Sequence, residues 1–131
     1  MWPTIKSRQK IPSMKKKILI VDDEPMICEI LRDYLELESF DVTEASNGQQ
    51  AFEFVLKNNF DCVVSDVRMP NGDGTTLARK ISEMPGRKPK VFLTSGYSEI
   101  SDAEATSLGV VKVLHKPFQN KEFIDSIKSA L

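Results

Sequence analysis

The chain has 131 residues, of which 40% are hydrophobic and 28% are charged, so it has the size and composition of one globular domain and not of a wholly disordered chain. Residues 1–17 carry six basic side chains and no acid, whereas the remainder carries 12 basic and 19 acidic residues, a net charge of −7. An acidic body argues against broad binding of a nucleic-acid phosphate backbone.

Two features of the sequence indicate a cytoplasmic location. Near the N-terminus the longest apolar run covers residues 18–21, whereas a signal peptide needs about 7–15 apolar residues and a membrane-spanning helix about 20. Cys28 and Cys62 are too far apart in sequence for a CxxC motif and lie among apolar neighbours, which indicates buried free thiols in a reducing compartment. We therefore expect a cytoplasmic protein without membrane contact.

The basic N-terminal segment, residues 1–14, is expected to lie outside the folded domain. It shows no apolar periodicity and contains Pro3 and Pro12, so we expect a flexible arm or a segment added for expression. The folded domain is then expected to cover residues 15–131.

Short apolar runs alternate with helical patterns from residue 17 onward. In chain order, strands are predicted at residues 18–21, 40–45, 61–65, 91–94 and 110–114. Helices are predicted at residues 25–38, from residue 48 onward, around Leu77 and Ile81, at 99–108 as a weak pattern, and at 118–131. The strands are apolar throughout rather than alternating, which is typical of a parallel sheet covered on both faces. With right-handed crossovers, the sequence predicts a doubly wound α/β domain with helices on both faces of a five-stranded parallel sheet.

Polar and charged side chains follow four of the five predicted strands. They are Asp22 and Asp23 after the first strand, Asp66 after the third, Thr94 and Ser95 after the fourth, and Lys116 after the fifth. In a doubly wound sheet these strand ends form the ligand-binding edge. Three carboxylates at one edge repel each other unless a hard cation such as Mg²⁺ lies among them. An acid after a strand also commonly caps a helix, which is the simpler interpretation of Asp22 alone, but the whole set favours a metal site.

This set of residue types is suited to phosphoryl transfer. A carboxylate such as Asp66 can act as a nucleophile and form an aspartyl phosphate. A metal ion would offset charge on the phosphoryl oxygens, Lys116 would add a positive charge, and the hydroxyl of Thr94 would donate a hydrogen bond.

Four motifs resemble, in their order, the receiver domain of two-component response regulators. They are Ile18-Leu19-Ile20-Val21-Asp22-Asp23-Glu24, Asp66-Val67-Arg68-Met69-Pro70 with Gly74 after it, Leu93-Thr94-Ser95-Gly96, and Lys116-Pro117-Phe118. The resemblance covers about residues 15–131. It implies the flavodoxin-like strand order 2-1-3-4-5.

The resemblance also implies the metal ligands. Asp66 would be the phosphoacceptor and a ligand of Mg²⁺. Asp23 would bind the ion directly and Asp22 mostly through water. The backbone carbonyl of Arg68 would be a further ligand, while its side chain, at a variable position, is expected to face solvent.

For the phosphoryl group itself, the resemblance assigns two further residues. Thr94 would hold a phosphoryl oxygen, and Lys116 would pair with the acceptor carboxylate or its phosphate. The bond between Lys116 and Pro117 is often cis in such domains, which an X-Pro bond permits at small cost.

The sequence departs from the family at one position that matters for signalling. Receiver domains usually carry an aromatic residue three positions before the lysine, where this chain has Val113. We therefore expect the phosphorylation signal to travel through the loop of residues 95–98, which begins at Ser95, and through the weakly patterned fourth helix. Tyr97 is the aromatic residue best placed to move in that loop.

By the same resemblance, a sensor histidine kinase or a phosphotransfer protein would be the phosphodonor. A downstream protein would bind the face formed by the fourth helix, fifth strand and fifth helix, and we expect no direct DNA binding and no turnover of a free substrate. Whether the chain acts alone or within a larger regulator or hybrid kinase stays open.

Two other functions compete with this interpretation. A haloacid-dehalogenase-type phosphatase also forms an aspartyl phosphate, but it requires an acid two positions after the nucleophile, where this chain has Arg68. A receiver-like scaffold that is never phosphorylated would lack the acceptor, the metal acids or the lysine, all of which are present.

The remaining reactive or unusual residues have simpler interpretations. His115 follows a strand rather than lying on an exposed helix face, so it does not suit phosphotransfer, and Ser65 has no histidine base placed to activate it. Residues 71–74 look like part of a calcium loop but lack its later glutamate, so a turn is expected. The methionines expected to pack in the core or its loops are Met26, Met69 and Met84.

Overall fold

Five parallel strands form the sheet at the centre of the structure, a computed structural model that describes residues 15–71, 73–96 and 100–131. The strands are β1 (Lys17–Val21), β2 (Asp41–Ala45), β3 (Cys62–Asp66), β4 (Lys90–Ser95) and β5 (Val110–His115), in the order β2-β1-β3-β4-β5. Every neighbouring pair is parallel. The predicted fold class and strand order are confirmed.

Within these described ranges, five helices connect or follow the strands. They are α1 (Pro25–Leu37), α2 (Gly48–Lys57), α3 (Gly74–Ser82), α4 (Asp102–Ser107) and α5 (Asn120–Ala130). Residues at their N-termini explain where three of these helices begin. Pro25 fixes a helical φ angle in the first turn of α1. The side chains of Asn47 and Asp73 accept hydrogen bonds from main-chain N–H groups in the first turns of α2 and α3. The fourth helix is shorter than predicted, because Ser101 caps it by accepting from the N–H of Glu104.

The strands are apolar throughout because each lies between two buried layers. Leu19 and Val21 of β1 pack in the layer that contains α2, α3 and α4. Ile18 and Ile20 pack in the opposite layer, with α1 and α5. This alternation is the geometry of a strand with both faces covered.

The cysteines and two of the three methionines lie where the sequence predicts. Cys28 and Cys62 are buried free thiols, Met69 is buried, and Met84 packs against the core. The prediction for Met26 is wrong, because its side chain is 71% exposed. The buried side of α1 consists of Cys28, Leu31 and Leu35, and Met26 lies outside this stripe. Among the described residues, no helix combines the length and the apolar character that crossing a membrane would require.

The strand order creates one topological switch point, and it lies between β1 and β3. The chain leaves β1 to form β2 on one side and then returns to form β3 on the other side. The connections after β1 and β3 therefore diverge at the carboxyl ends of these strands, and a crevice opens between them. Asp22 follows β1 and Asp66 ends β3, so both lie at this crevice.

Candidate functional site

Three carboxylates meet at the switch point. Asp22 and Asp23 follow β1 directly, and Asp66 is the last residue of β3. One carboxylate oxygen from each residue lies within 4.8 Å of the other two. The structure thus brings together the three acids that the sequence predicts to be close, although they come from positions more than 40 residues apart.

Asp22 is the buried member of the cluster, with 3% of its surface exposed. Its Oδ1 accepts a hydrogen bond from the N–H of Glu24 at 2.9 Å. Burial raises the pKa of Asp22 to about 6, and the carboxylates of Asp66 and Asp23 act in the same direction, while the Glu24 hydrogen bond and Lys116 oppose the shift. The metal-free site therefore holds Asp22 in an environment that disfavours its charge.

Lys116 supplies the positive charge of the site from β5's carboxyl end. Its Nζ lies 3.4 Å from Oδ2 of Asp66 and 4.0 Å from Oδ2 of Asp22. The main-chain N–H of Lys116 donates to the carbonyl of Ser95 at 2.7 Å, which joins this residue to the end of β4. The bond between Lys116 and Pro117 is cis, as the resemblance implies.

Two buried hydroxyls lie at the end of β4. Thr94 pairs with Asp66 in the register of β3 and β4, and the N–H of Val67 donates to the Thr94 carbonyl at 3.0 Å. Thr94 and Ser95 are both buried, and among the described residues every buried side-chain polar atom has a hydrogen-bond partner. The strand register therefore places a hydroxyl residue beside Asp66.

The other predicted residues lie around this centre or outside the described residues. Arg68 has an exposed side chain, as expected, and His115 is exposed at the end of β5. Val113 is buried in the layer of α2, α3 and α4. Tyr97 and the N-terminal segment 1–14 lie outside the described residues.

Sequence reasoning did not predict the contacts that Ser65 and Gly74 make with the main chain of Asp66. The hydroxyl of Ser65 donates to the Asp66 carbonyl at 2.9 Å, and Gly74 lies so close that a Cβ there would be 2.3 Å from the same oxygen. For Ser65, the available signal was a small polar residue directly before Asp66, in a strand whose other interior positions are apolar.

Comparison with known proteins identifies the family. Residues 18–128 match the family model of the response regulator receiver domain. The chain belongs to this family. It is a receiver domain of the two-component response regulator class, and the structural neighbours are receiver domains of the same fold.

The curated relatives are longer than this receiver domain. It is 39% identical over 118 residues to the transcriptional regulatory protein SrrA of Staphylococcus aureus. That match covers 90% of this chain and 48% of SrrA, so the chain spans about half the length of the curated relatives it matches.

Three solved receiver structures superpose closely. The TrrA response regulator of Thermotoga maritima, solved in complex with Mg²⁺–BeF, is 32% identical with a TM-score of 0.80, covering 88% of this chain and 99% of TrrA. A CheY-like receiver protein of Methanospirillum hungatei is 26% identical with a TM-score of 0.80, covering 88% and 92%. A receiver domain of a signal transduction histidine kinase from Syntrophus aciditrophicus is 29% identical with a TM-score of 0.79, covering 88% and 89%.

The acid cluster of this receiver domain fits a magnesium ion. Carboxylate oxygens are the hard ligands that Mg²⁺ prefers, and ligands on opposite sides of its octahedral sphere lie about 4.2 Å apart. Oxygens that all lie within 4.8 Å of one another come close to that span. The raised pKa of Asp22 points the same way, because a cation would offset the repulsion that contributes to it.

The raised pKa of Asp22 predicts a pH dependence of stability. The pKa rises from the ordinary value of 3.8 to about 6 on folding, so the folded state holds this proton more tightly than the unfolded state does. The contribution of Asp22 to the free energy of unfolding is thus largest below pH 3.8 and is lost as the pH rises through about 6. Urea unfolding in metal-free buffer from pH 4 to pH 7 measures it, and Asp22→Asn should remove this downward component.

Other acids make the free energy of unfolding rise with pH. The comparison is therefore between the slopes of the free energy of unfolding against pH in the parent and in each variant. The pKa of Asp73 is lowered, because hydrogen bonds from Thr76 and Thr75 outweigh partial burial. The control is Asp33→Asn on the exposed side of α1, which should keep the parent's slope. An Asp22→Asn variant with an unchanged slope would contradict the assignment.

Proposed function

We propose that this receiver domain is a phosphorylation-controlled switch in which Asp66 accepts a phosphoryl group, with Mg²⁺, from a sensor histidine kinase or a phosphotransfer protein. The observation that carries the proposal is the arrangement of charged groups around Asp66. Lys116 Nζ lies 3.4 Å from Oδ2 of Asp66, and the carboxylates of Asp22 and Asp23 lie across the crevice from it. No other group of three or more potential metal ligands occurs among the described residues.

The chemistry follows from these positions. A carboxylate oxygen of Asp66 attacks phosphorus, the bond from phosphorus to the donor's histidine nitrogen breaks, and an acyl phosphate forms. Lys116 attracts the negative charge of the incoming group, and Thr94 offers a hydroxyl hydrogen bond. Bound Mg²⁺, held by the side chains of Asp22, Asp23 and Asp66 and by the carbonyl of Arg68, would offset charge on the phosphoryl oxygens.

The phosphatase alternative lacks one of its chemical requirements. A phosphatase of the haloacid-dehalogenase type uses an acid two positions after its nucleophile, where this chain has the exposed Arg68. A scaffold without phosphorylation does not account for a buried acid, a second acid and a lysine that all face Asp66. We therefore propose a switch that modifies itself and does not turn over a free substrate.

The proposed target of the switch is a downstream protein, bound at the face of α4, β5 and α5. β5 is an edge strand, with Val111 49% exposed and Lys112 exposed beside it. An open groove of about 490 Å³ lies between β5 and α5, next to Ser126 and Ser129. We propose no direct DNA contact by this domain, since the chain after residue 17 carries a net charge of −7.

The proposed output route is the loop after β4 together with α4. Val113 is buried and has a single side-chain torsion restricted by β-branching, so it cannot report a change at Thr94 by swinging to the surface. Within α4, Ala105 is the only buried residue, so little side-chain burial holds this helix on the sheet. We therefore propose that phosphorylation is read through the loop of residues 95–98 and α4.

Removal of the acceptor tests the central proposal. The parent protein, mixed with Mg²⁺ and a small phosphodonor such as phosphoramidate, should gain one acid-labile phosphate by intact mass, and Asp66→Ala should gain none while remaining folded. Asp33→Ala serves as the matched control and should behave as the parent. Normal phosphate incorporation in the Asp66 variant would contradict the assignment, and multiple turnovers on a phosphate ester by the parent would favour the phosphatase.

Metal binding should depend more on Asp23 than on Asp22. Asp23 is exposed and is proposed to be a direct ligand, whereas a water can replace part of the role of Asp22. Loss of an indirect partner typically costs about 10–100-fold in metal affinity, so Asp22→Ala should weaken Mg²⁺ binding within that range and Asp23→Ala by more. Calorimetric titration of Mg²⁺ measures both, and equal affinity of Asp23→Ala and the parent would exclude the assignment.

The loop route predicts where the structure responds. On phosphorylation, backbone amide shifts should be largest from Thr94 to Leu108, with a coupling on the order of 1–3 kcal/mol between the site and α4. Tyr97→Ala should diminish the amide shifts within α4. Val113→Ala is the matched control at the position where the family usually has an aromatic residue, and it should leave these shifts in place. If Tyr97→Ala left the amide shifts within α4 unchanged and Val113→Ala diminished them, the loop route would be rejected.

A further inference from the structure

We propose that Ser65 and Gly74 are positioning residues that together fix the main-chain carbonyl of Asp66. This inference rests on the proposed role of Asp66 as the phosphoacceptor. On this inference, the position of the Asp66 carboxylate in the site depends on two residues that are not themselves proposed to bind the metal ion or the phosphoryl group.

The first contact is the hydrogen bond from Ser65. This residue is fully buried in β3, between Val21 of β1 and Leu93 of β4 in the sheet register. A hydroxyl buried among apolar side chains is costly unless it is bonded, and here it donates to the Asp66 carbonyl at 2.9 Å. The polar residue at this interior position therefore has a specific use, which is to hold the next residue's peptide group.

The second contact is the close approach of Gly74. It is the first residue of α3, and a Cβ there would lie 2.3 Å from the carbonyl oxygen of Asp66 and 3.1 Å from its carbonyl carbon. The N–H of Gly74 also donates to the carbonyl of Val67 at 2.8 Å. The start of α3 is itself anchored, because Asp73 accepts from the N–H of Thr76 at 2.8 Å.

These two contacts matter because the partners of the Asp66 side chain belong to other strands. Lys116 reaches Asp66 from the end of β5, and Asp22 and Asp23 reach it from the end of β1. A shift of the Asp66 main chain therefore moves its carboxylate relative to all of them at once. A misplacement of about 1 Å at a reacting group can cost about a hundredfold in rate.

Three substitutions separate positioning from general stability. Ser65→Ala removes the hydroxyl, Ser65→Thr restores it, and Gly74→Ala inserts a methyl group against the Asp66 carbonyl. The control is Ile81→Val, which trims a buried side chain of α3 away from Asp66. Each variant is measured by urea unfolding, by calorimetric Mg²⁺ affinity, and by its phosphorylation rate constant with phosphoramidate at saturating Mg²⁺.

We expect Ser65→Ala to slow phosphorylation at saturating Mg²⁺ by about 2–12-fold, the equivalent of one hydrogen bond, and to weaken Mg²⁺ binding. Ser65→Thr should recover most of the rate, and Gly74→Ala should lose about a hundredfold, while Ile81→Val loses stability and keeps the parent's rate. If Gly74→Ala does not fold, the contrast between Ser65→Ala and Ser65→Thr still decides the result.

Two outcomes would overturn the inference in distinguishable ways. Parent-like rates and Mg²⁺ affinities in Ser65→Ala, in a protein that is phosphorylated at Asp66, would reject the positioning role alone. The same holds if rates in all variants, Ile81→Val included, simply follow their loss of stability. A parent protein that gained no phosphate at Asp66 would reject the proposed function and the inference with it.

Discussion

The gathering of three carboxylates at one edge of the sheet is the constraint on which the rest of the site depends. Burial of Asp22 raises its pKa to about 6, and repulsion by the like charges of Asp66 and Asp23 adds to the shift. The acids stay together because the strands that carry them are fixed by two buried layers of side chains. Lys116 relieves part of the repulsion from a third strand. The core thus holds the three carboxylates close together, and a bound cation or a change of charge would lower the repulsion between them.

The sequence predicted most of this arrangement, for identifiable reasons. The strands are visible because both faces are buried and their apolar runs are continuous, and the acids and Lys116 are visible because they follow those runs. The strand order was implied by the family resemblance rather than by the residues. The carboxyl ends of parallel strands share an edge, so residues far apart in sequence could be predicted to lie close together.

What the sequence did not show depends on the orientation of single side chains and on backbone contacts. Met26 and Leu37 are apolar residues of α1 that lie largely in solvent, each two positions from a residue of the buried stripe, so apolar character alone does not predict burial. The contacts of Ser65 and Gly74 with the Asp66 carbonyl join a strand to a helix across a turn. Such contacts follow from the path of the turn, which composition and spacing do not determine.

The two helices beside β5 differ in how much side-chain surface they bury, and the difference bears on the proposed output route. α5 buries Phe123 and Ile127 completely, and burial of one such side chain contributes about 1.5–3 kcal/mol. Lys128 of α5 also pairs with Glu38 at the end of α1. Moving α5 would cost more than the 1–3 kcal/mol that couples typical allosteric sites.

α4, in contrast, buries only Ala105 within its six residues, and the side chain of alanine contributes about a single methyl group of burial. Its anchors lie just outside the helix, at the buried Ile100 and the partly buried Leu108. On the proposed output route, a displacement of α4 that leaves Ile100 and Leu108 in place would expose little apolar surface, so we expect its cost to be on the scale of the about 1–3 kcal/mol of typical allosteric coupling. The edge strand therefore lies between a helix with two fully buried side chains and a helix with one buried alanine, and the proposed output route uses the helix that buries less apolar surface.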